Sequence, residues 1–596
     1  MNKPILKNSK LGSTLIGEGV EFSVWAPHAD SVAVVGNFNG WDSTQHPMKA
    51  GDNGRWNLFT PDAKVGDEYK YEIVNGEQRV LRIDPYSREV TNSVGNSVVY
   101  DPHAFDWGND DFQLATLNEL VIYELHIGTF NRTKENSVGT FDCLINKLEY
   151  LQWLGVNTIE IMPVAEFAGD YSWGYNPAHL FAVENAYGGP DALKRLVKAA
   201  HEHGIAVIMD VVYNHFGPSD LDLWQFDGWS ENEKGGIYFY NDWRSTTPWG
   251  ESRPDYGRGE VRSFIHDNAM MWLEEYKMDG LRYDMTLYIR SVDGSNDNEI
   301  PEGWSLLQWI NRKIHERYPN KITIAEDLRT NSALTKHEDY GGANFSTQWD
   351  EAFVHPIRQA ITLADDQYRN MHSVFNAIFH KYNNDAFERV VYAESHDEVA
   401  NGKKRVPSEI DENNPHGWYA KRRSALGAVL VFTSPGIPMI FQGQEFVRTD
   451  WFDDTKPIDW DEAGNREPTM RMYRDLIGLR LNKNGTTAGL SGSDIYPLQL
   501  NDQDKVIAFE RCRTGASGGK TIVVLNFGNR DWTDYRLGFP EAGTWKVRLN
   551  SASICDHFDD QYAVGSVQTE PQEHDGSQQS AQFPLAAYSA LIFSQD

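Results

Sequence analysis

Four segments, far apart in the chain, each bring carboxylates to the end of a strand-like run. They span 207–215, 280–284, 322–326 and 393–397 and contain Asp210, Asp284, Glu326 and Asp397. Carboxylates gathered at strand ends are what glycosidic-bond cleavage needs. One acid protonates the leaving oxygen, and a second carboxylate meets the oxocarbenium-like centre, as a nucleophile in a retaining reaction. Asp284 is the candidate nucleophile. Arg282, two residues earlier, points to the same side of a strand and would hold that carboxylate ionised. Glu326 is the candidate acid/base, closing a short β-branched run whose walls would raise its pKa. Asp397 would grip sugar hydroxyls, His215 and His396 would donate to them, and Asp210 would form the floor. A lone carboxylate at a strand end is more often a turn-former or a helix cap, so the argument rests on recurrence. Two His, two Asp and a Glu could also form a metal cluster, but their spacing does not resemble a compact ligand motif.

The elements that would position these residues alternate. From about residue 119 the rhythm is strand, loop, helix. The expected strands are 120–125, 158–161, 206–211, 280–284, 322–325, 345–349, 390–393 and 438–441. Amphipathic helices are clearest at 142–154 and 191–203. Eight strands alternating with helices predict a (β/α)8 TIM barrel, whose active site lies at the C-terminal strand ends. An excursion at 216–258, rich in Trp, Gly, Asp and Pro, reads as substrate-contacting. The flanks are β-rich. Residues 1–110 read as an N-terminal β-sandwich, 111–484 as the barrel and 485–596 as a C-terminal all-β domain. Residues 564–582, rich in Gln, Ser and Glu, read as a mobile loop.

Composition bounds the partners. The 596 residues are 40% hydrophobic and carry a formal net charge of −31, which argues against nucleic acid and anionic membrane surfaces. A neutral sugar fits better. The 19 Trp and 27 Tyr supply flat rings for stacking on sugars, although large cores also need them. Three cysteines, Cys143, Cys512 and Cys555, are too scattered for a disulfide framework or a zinc site. The first ten residues lack an apolar core of a leader peptide, and no apolar run reaches the ~18 residues of a membrane span. These features predict a cytoplasmic protein.

The four segments resemble the signature regions of the α-amylase superfamily (glycoside hydrolase family 13) over about residues 119–460. The resemblance implies Asp284 as nucleophile, Glu326 as acid/base and Asp397 as transition-state stabiliser. It implies substrate-binding roles for Arg282, Asp210, His215 and His396. Tyr175, in Ser172-Trp173-Gly174-Tyr175-Asn176-Pro177, matches the ring that stacks under the reacting sugar. Residues 18–41 resemble the glycogen-binding-type sandwich that precedes many such barrels; the fold is carried over, the binding is not. The implied partner is an α-glucan or maltooligosaccharide, with no organic cofactor. Calcium stays open, because Asn214 stands where calcium-dependent relatives place a ligand.

Subgroup signals divide. Glu394-Ser395-His396-Asp397-Glu398-Val399, Phe441-Gln442-Gly443-Gln444-Glu445-Phe446 and the C-terminal strands look like 1,4-α-glucan branching enzymes. The run from Asp210 to Pro218, Thr247-Pro248-Trp249-Gly250 and Ile324-Ala325-Glu326-Asp327 look like maltooligosyltrehalose trehalohydrolases. The preferred expectation is branching-type transfer; the alternatives are trehalohydrolase-type or other amylolytic hydrolysis. A non-catalytic sugar-binding protein on the same barrel would be expected to lose one of the three carboxylates, and all three are present.

Overall fold

The computed structural model describes residues 10–133, 137–516, 518–554 and 562–595. Residues 1–9, which include most of the N-terminal stretch read above, and Cys555 lie outside the described residues. Cys143 and Cys512 are both free thiols. Among the described residues no helix is long and apolar enough to cross a membrane.

Eight parallel strands close into a barrel: β1 (Ile122–Leu125), β2 (Thr158–Ile161), β3 (Ala206–Val211), β4 (Gly280–Tyr283), β5 (Ile322–Ala325), β6 (Thr347–Trp349), β7 (Arg389–Val391) and β8 (Ile437–Phe441). Each is buried along its whole length, as parallel strands covered by helices must be. The helices follow from amphipathic periodicity. In Gly189–Glu202, Leu193, Leu196, Val197 and Ala200 recur on one buried face, and Pro190 sits in the first turn where its missing N–H costs nothing. The expected helix at 142–154 is instead two, Phe141–Ile145 and Leu148–Leu154. Asn146 ends the first, and Lys147 leaves the helical region at φ −116°, ψ 0°, which lets Leu144, Leu148 and Leu151 all stay buried.

Five of the expected strands shift at one or both ends, each by one or two residues. One consequence matters for chemistry: β4 ends at Tyr283, so Asp284 stands just beyond the last paired residue.

The N-terminal region forms two antiparallel sheets packed on Val20, Phe22, Val34, Tyr69 and Tyr71. The C-terminal region is a six-stranded sheet with a two-stranded partner. The expected mobile loop at 564–582 is corrected here. Ser566–Gln568 pairs with Thr544–Asn550, and Gln579–Leu585 pairs with Trp532–Phe539. The polar residues that read as a loop share these strands with Ala581, Phe583 and Leu585, which face the core. A hairpin not expected from the sequence, Ala165–Phe167 with Pro177–Val183, follows β2 and carries Tyr175 on its connection.

Candidate active site

β3 and β4 are neighbours in register, with Asp210 opposite Arg282. That pairing builds the centre of the site. Arg282 Nη1 donates to Asp210 Oδ2 at 2.6 Å and to Asp284 Oδ1 at 3.3 Å, while Nη2 lies 2.7 Å from Glu326 Oε2. One fully buried guanidinium therefore serves three carboxylates from three successive strands. Its plane lies over Trp349, 4.3 Å from the ring centroid, which closes the site from β6.

Asp284 also accepts from Asn214 Nδ2 at 2.8 Å. Asn214 Oδ1 in turn faces His215 Nδ1 at 2.6 Å, so both ends of that amide are engaged inside the protein. Next to Asp284, Met285 holds a left-handed φ of 36°, a costly conformation for a side chain of this size. The turn it makes aims its N–H at Glu326 Oε2, 3.0 Å away. Backbone strain and a carboxylate contact thus coincide between the two candidate catalytic groups.

Burial sets the electrostatics. The sequence argument expected Arg282 to dominate Asp284, but desolvation outweighs the guanidinium and the Asp284 carboxyl is raised. Glu326 is raised for the same first reason, and the negative charges of Asp284 and Asp397 add to it. Asp210, buried beneath, is pushed up to about 6. The two histidines separate. Burial takes His215 down to about 4, so it is a neutral ring at pH 7. His396 rises to about 9 although burial opposes it, because the carboxylates of Glu124 and Asp397 face it.

The remaining residues line the opening. Tyr175 donates to Asp210 Oδ2 at 2.5 Å and stacks on His396 with centroids 4.9 Å apart. Gly174 makes that placement possible. Its φ is +95°, and a Cβ there would meet the Pro163 carbonyl oxygen at 2.1 Å. Asp397 is the one exposed member of the set, its side chain 42% accessible and 3.7 Å from His396 Nε2. All eight residues singled out in the sequence thus gather in one cluster through the contacts above. Trp249, in the 216–258 excursion, stacks on His215 at 4.5 Å with planes 14° apart and is 38% exposed. The excursion therefore reaches the site with a flat ring. Among the described residues no group of three or more His, Cys, Asp or Glu side chains is arranged to hold a metal ion.

Sequence reasoning missed Glu124 and Glu160, paired in register on β1 and β2. A signal was present: each is the one charged residue of a short, fully buried strand. It also missed Trp349 as the platform under Arg282.

A closed eight-stranded barrel that gathers three carboxylates around one buried arginine at its strand ends has the form of a glycosidase-type catalytic domain. The chain belongs to the family described as alpha amylase, catalytic domain, whose model matches residues 125–254 and 218–479. It is therefore an α-amylase-family enzyme. Residues 10–87 match carbohydrate-binding module 48 (isoamylase N-terminal domain), and residues 498–596 match the alpha amylase C-terminal all-beta domain. The chain is similar to a 1,4-alpha-glucan branching enzyme from Corynebacterium jeikeium, 31% identical over 612 residues, covering 98% of this chain and 83% of that one. A branching enzyme from Mycolicibacterium paratuberculosis is 32% identical, covering 96% and 80%. The solved pullulanase of Anoxybacillus sp. LM18-11, complexed with maltotetraose, shares the fold. Its TM-score is 0.77 at 23% identity, covering 98% of this chain and 87% of that one.

Proposed function

We propose that this protein is a retaining α-glucan enzyme of branching type, which cleaves an α-1,4 bond and passes the chain to a 6-hydroxyl. The observation that carries the reading is the single guanidinium of Arg282 touching both Asp284 and Glu326. A planar fork that serves both supports the short carboxyl separation, about 5–5.5 Å, of retaining enzymes. The relatives that match along most of their length, named as branching enzymes, support the transfer outcome.

In this reading Glu326 is protonated when substrate arrives, since burial raises its pKa, and gives its proton to the bridging oxygen. The ionised Asp284 attacks the anomeric carbon as that bond breaks. This leaves a β-glycosyl ester and a free 4-hydroxyl end. Glu326, now a carboxylate, takes the proton of the acceptor hydroxyl, whose oxygen displaces Asp284 with net retention. Asp397, His396 and the neutral His215 hold hydroxyls of the reacting sugar, and Tyr175 stacks beneath it. Asp210 fixes Tyr175 and Arg282. Residues 1–110, 111–484 and 485–596 serve as sandwich, barrel and tail.

Proton NMR of long linear amylose incubated with the protein, beside a reducing-end assay, tests this. New α-1,6 signals with few new reducing ends are expected. Many new reducing ends without α-1,6 signals would make the enzyme a hydrolase. Release of trehalose from a maltooligosyltrehalose would then place it with the trehalohydrolases, which the Asp210–Pro218 run resembles.

A further inference from the structure

We propose that Glu124 is the positioning residue of this site: it fixes the orientation and charge of His396 from the barrel floor. The inference rests on the reading above, in which His396 holds the reacting sugar. Glu124 is the penultimate residue of β1, 272 residues before its partner, and its carboxylate grips that residue twice. Oε2 accepts from the His396 backbone N–H at 3.1 Å, and Oε1 lies 2.5 Å from Nδ1. Main chain and ring are thus held by one buried carboxylate, and Nε2 is left for the open side, where Asp397 stands. The ring cannot turn without breaking the Nδ1 contact and its stack on Tyr175. A side chain that only filled space would not need both oxygens on one partner.

The surroundings explain why this contact governs the charge. Asp397 adds to the cation's stability, while burial and Arg282 oppose it. Asp210 and Glu326 face the ring from β3 and β5, and His126 from the end of β1. On β2, in register with Glu124, Glu160 is fully buried, and neither of its oxygens has a hydrogen-bond partner among the described residues. Burial holds its carboxyl well above the usual carboxylate range, against the pull of Arg282 and His396. Of the two neighbouring glutamates, Glu124 alone makes direct contacts with His396.

Glu124→Gln keeps the shape and removes the charge. It is expected to lower kcat about 10²-fold, the scale of losing one preorganised charge-stabilising group. KM should stay within about threefold. The alkaline limb of kcat/KM should move down by a unit or more and steepen, because His396 now loses its proton together with Glu326. Glu124→Asp, which keeps the charge, should recover part of kcat and leave the limb in place. In Glu160→Gln, which alters a carboxyl that makes no hydrogen bond to His396, the limb should also stay in place. If Glu124→Gln does not fold, 15N-imidazole NMR of the wild-type protein decides, with the His396 signal assigned by its loss in His396→Asn. Titration near 9 supports the proposal, and titration below about 7 overturns it. An unmoved limb and wild-type kcat in Glu124→Gln would also overturn it, as would equal losses in the Gln and Asp variants. Turnover surviving in Asp284→Ala would instead bring down the underlying reading of the site.

Discussion

Two arginines in this barrel, Arg282 and Arg389, are both fully buried against carboxylates, and they are satisfied in opposite ways. Arg389 donates from Nη1 to Asp350 and the Ala377 carbonyl, from Nη2 to the Ile378 carbonyl and from Nε to the Pro435 carbonyl, all within 2.8–3.1 Å. Asp350 is completed by Tyr382 and by the N–H of Ala352, which it caps. Arg282 meets three carboxylates and no carbonyl. Its Nε has no hydrogen-bond partner among the described residues, and Nη2 approaches Glu326 without the alignment of a hydrogen bond. A buried ion pair saturated by main chain ties elements together. One left short of partners stores electrostatic cost where substrate can relieve it. What distinguishes the pair is the kind of partner, main-chain carbonyls around Arg389 and three carboxylates around Arg282; an orphan Nε alone does not, since Arg405, Arg480 and Arg511 also carry one.

Four experiments would break or sharpen that contrast. The largest effect belongs to Asp284→Ala. Turnover of amylose should fall by about 10⁴-fold or more with the thermal unfolding midpoint kept or raised, since a buried, costly carboxylate is removed. Activity within tenfold of wild type would end the nucleophile assignment.

The paired arginine variants come next. Arg389→Ala leaves Asp350 buried and uncompensated and should cost about 3–5 kcal/mol in denaturant unfolding. Arg282→Lys should instead lose about 10²-fold in kcat at a smaller stability cost, because an ammonium cannot reach Asp210, Asp284 and Glu326 in one plane. Equal stability losses with equal activity losses would erase the distinction.

A pH profile is third. Asp284 must be ionised and Glu326 protonated, and burial raises both. The profile of kcat/KM should therefore be a bell: it falls on the acid side as Asp284 gains a proton and on the alkaline side as Glu326 loses one. Both limbs should sit above the ~3.9–4.3 of free carboxylates. Arg389→Lys should leave both limbs unmoved. A flat profile across pH 4–8 would contradict the assignment.

The smallest effect is expected at the rim. Trp249→Ala should raise KM for maltooligosaccharides roughly three- to tenfold, the scale of one lost aromatic contact, with kcat little changed. An unchanged KM would remove the excursion from the substrate path.

Much of this was legible in the sequence, for identifiable reasons. Parallel strands buried on both faces are short apolar runs, so β2, β3 and β5 could be read to the residue. Asp210, Arg282, Asp284, Glu326 and Asp397 each sit within a few residues of such a run, so their convergence followed from barrel closure. What was hidden depends on contacts across the barrel or on burial. The Glu124–His396 pair joins the first strand to the loop after the seventh, and no local pattern links them. The sign of the Asp284 shift required knowing that desolvation exceeds the pull of Arg282. The polar strands at 566–568 and 579–585 were hidden because their pairing partners, not their composition, make them strands.

The most direct test of the central claim is to look for the glycosyl ester itself. Wild-type protein and a Glu326→Gln variant, which slows release of the intermediate, would be incubated with an activated 5-fluoro-α-glucosyl fluoride, digested and analysed by peptide mass spectrometry. The account predicts one glycosyl adduct on the peptide containing Asp284, absent in Asp284→Ala. An adduct on another carboxylate, or turnover of the reagent with no adduct and an inverted product, would contradict it.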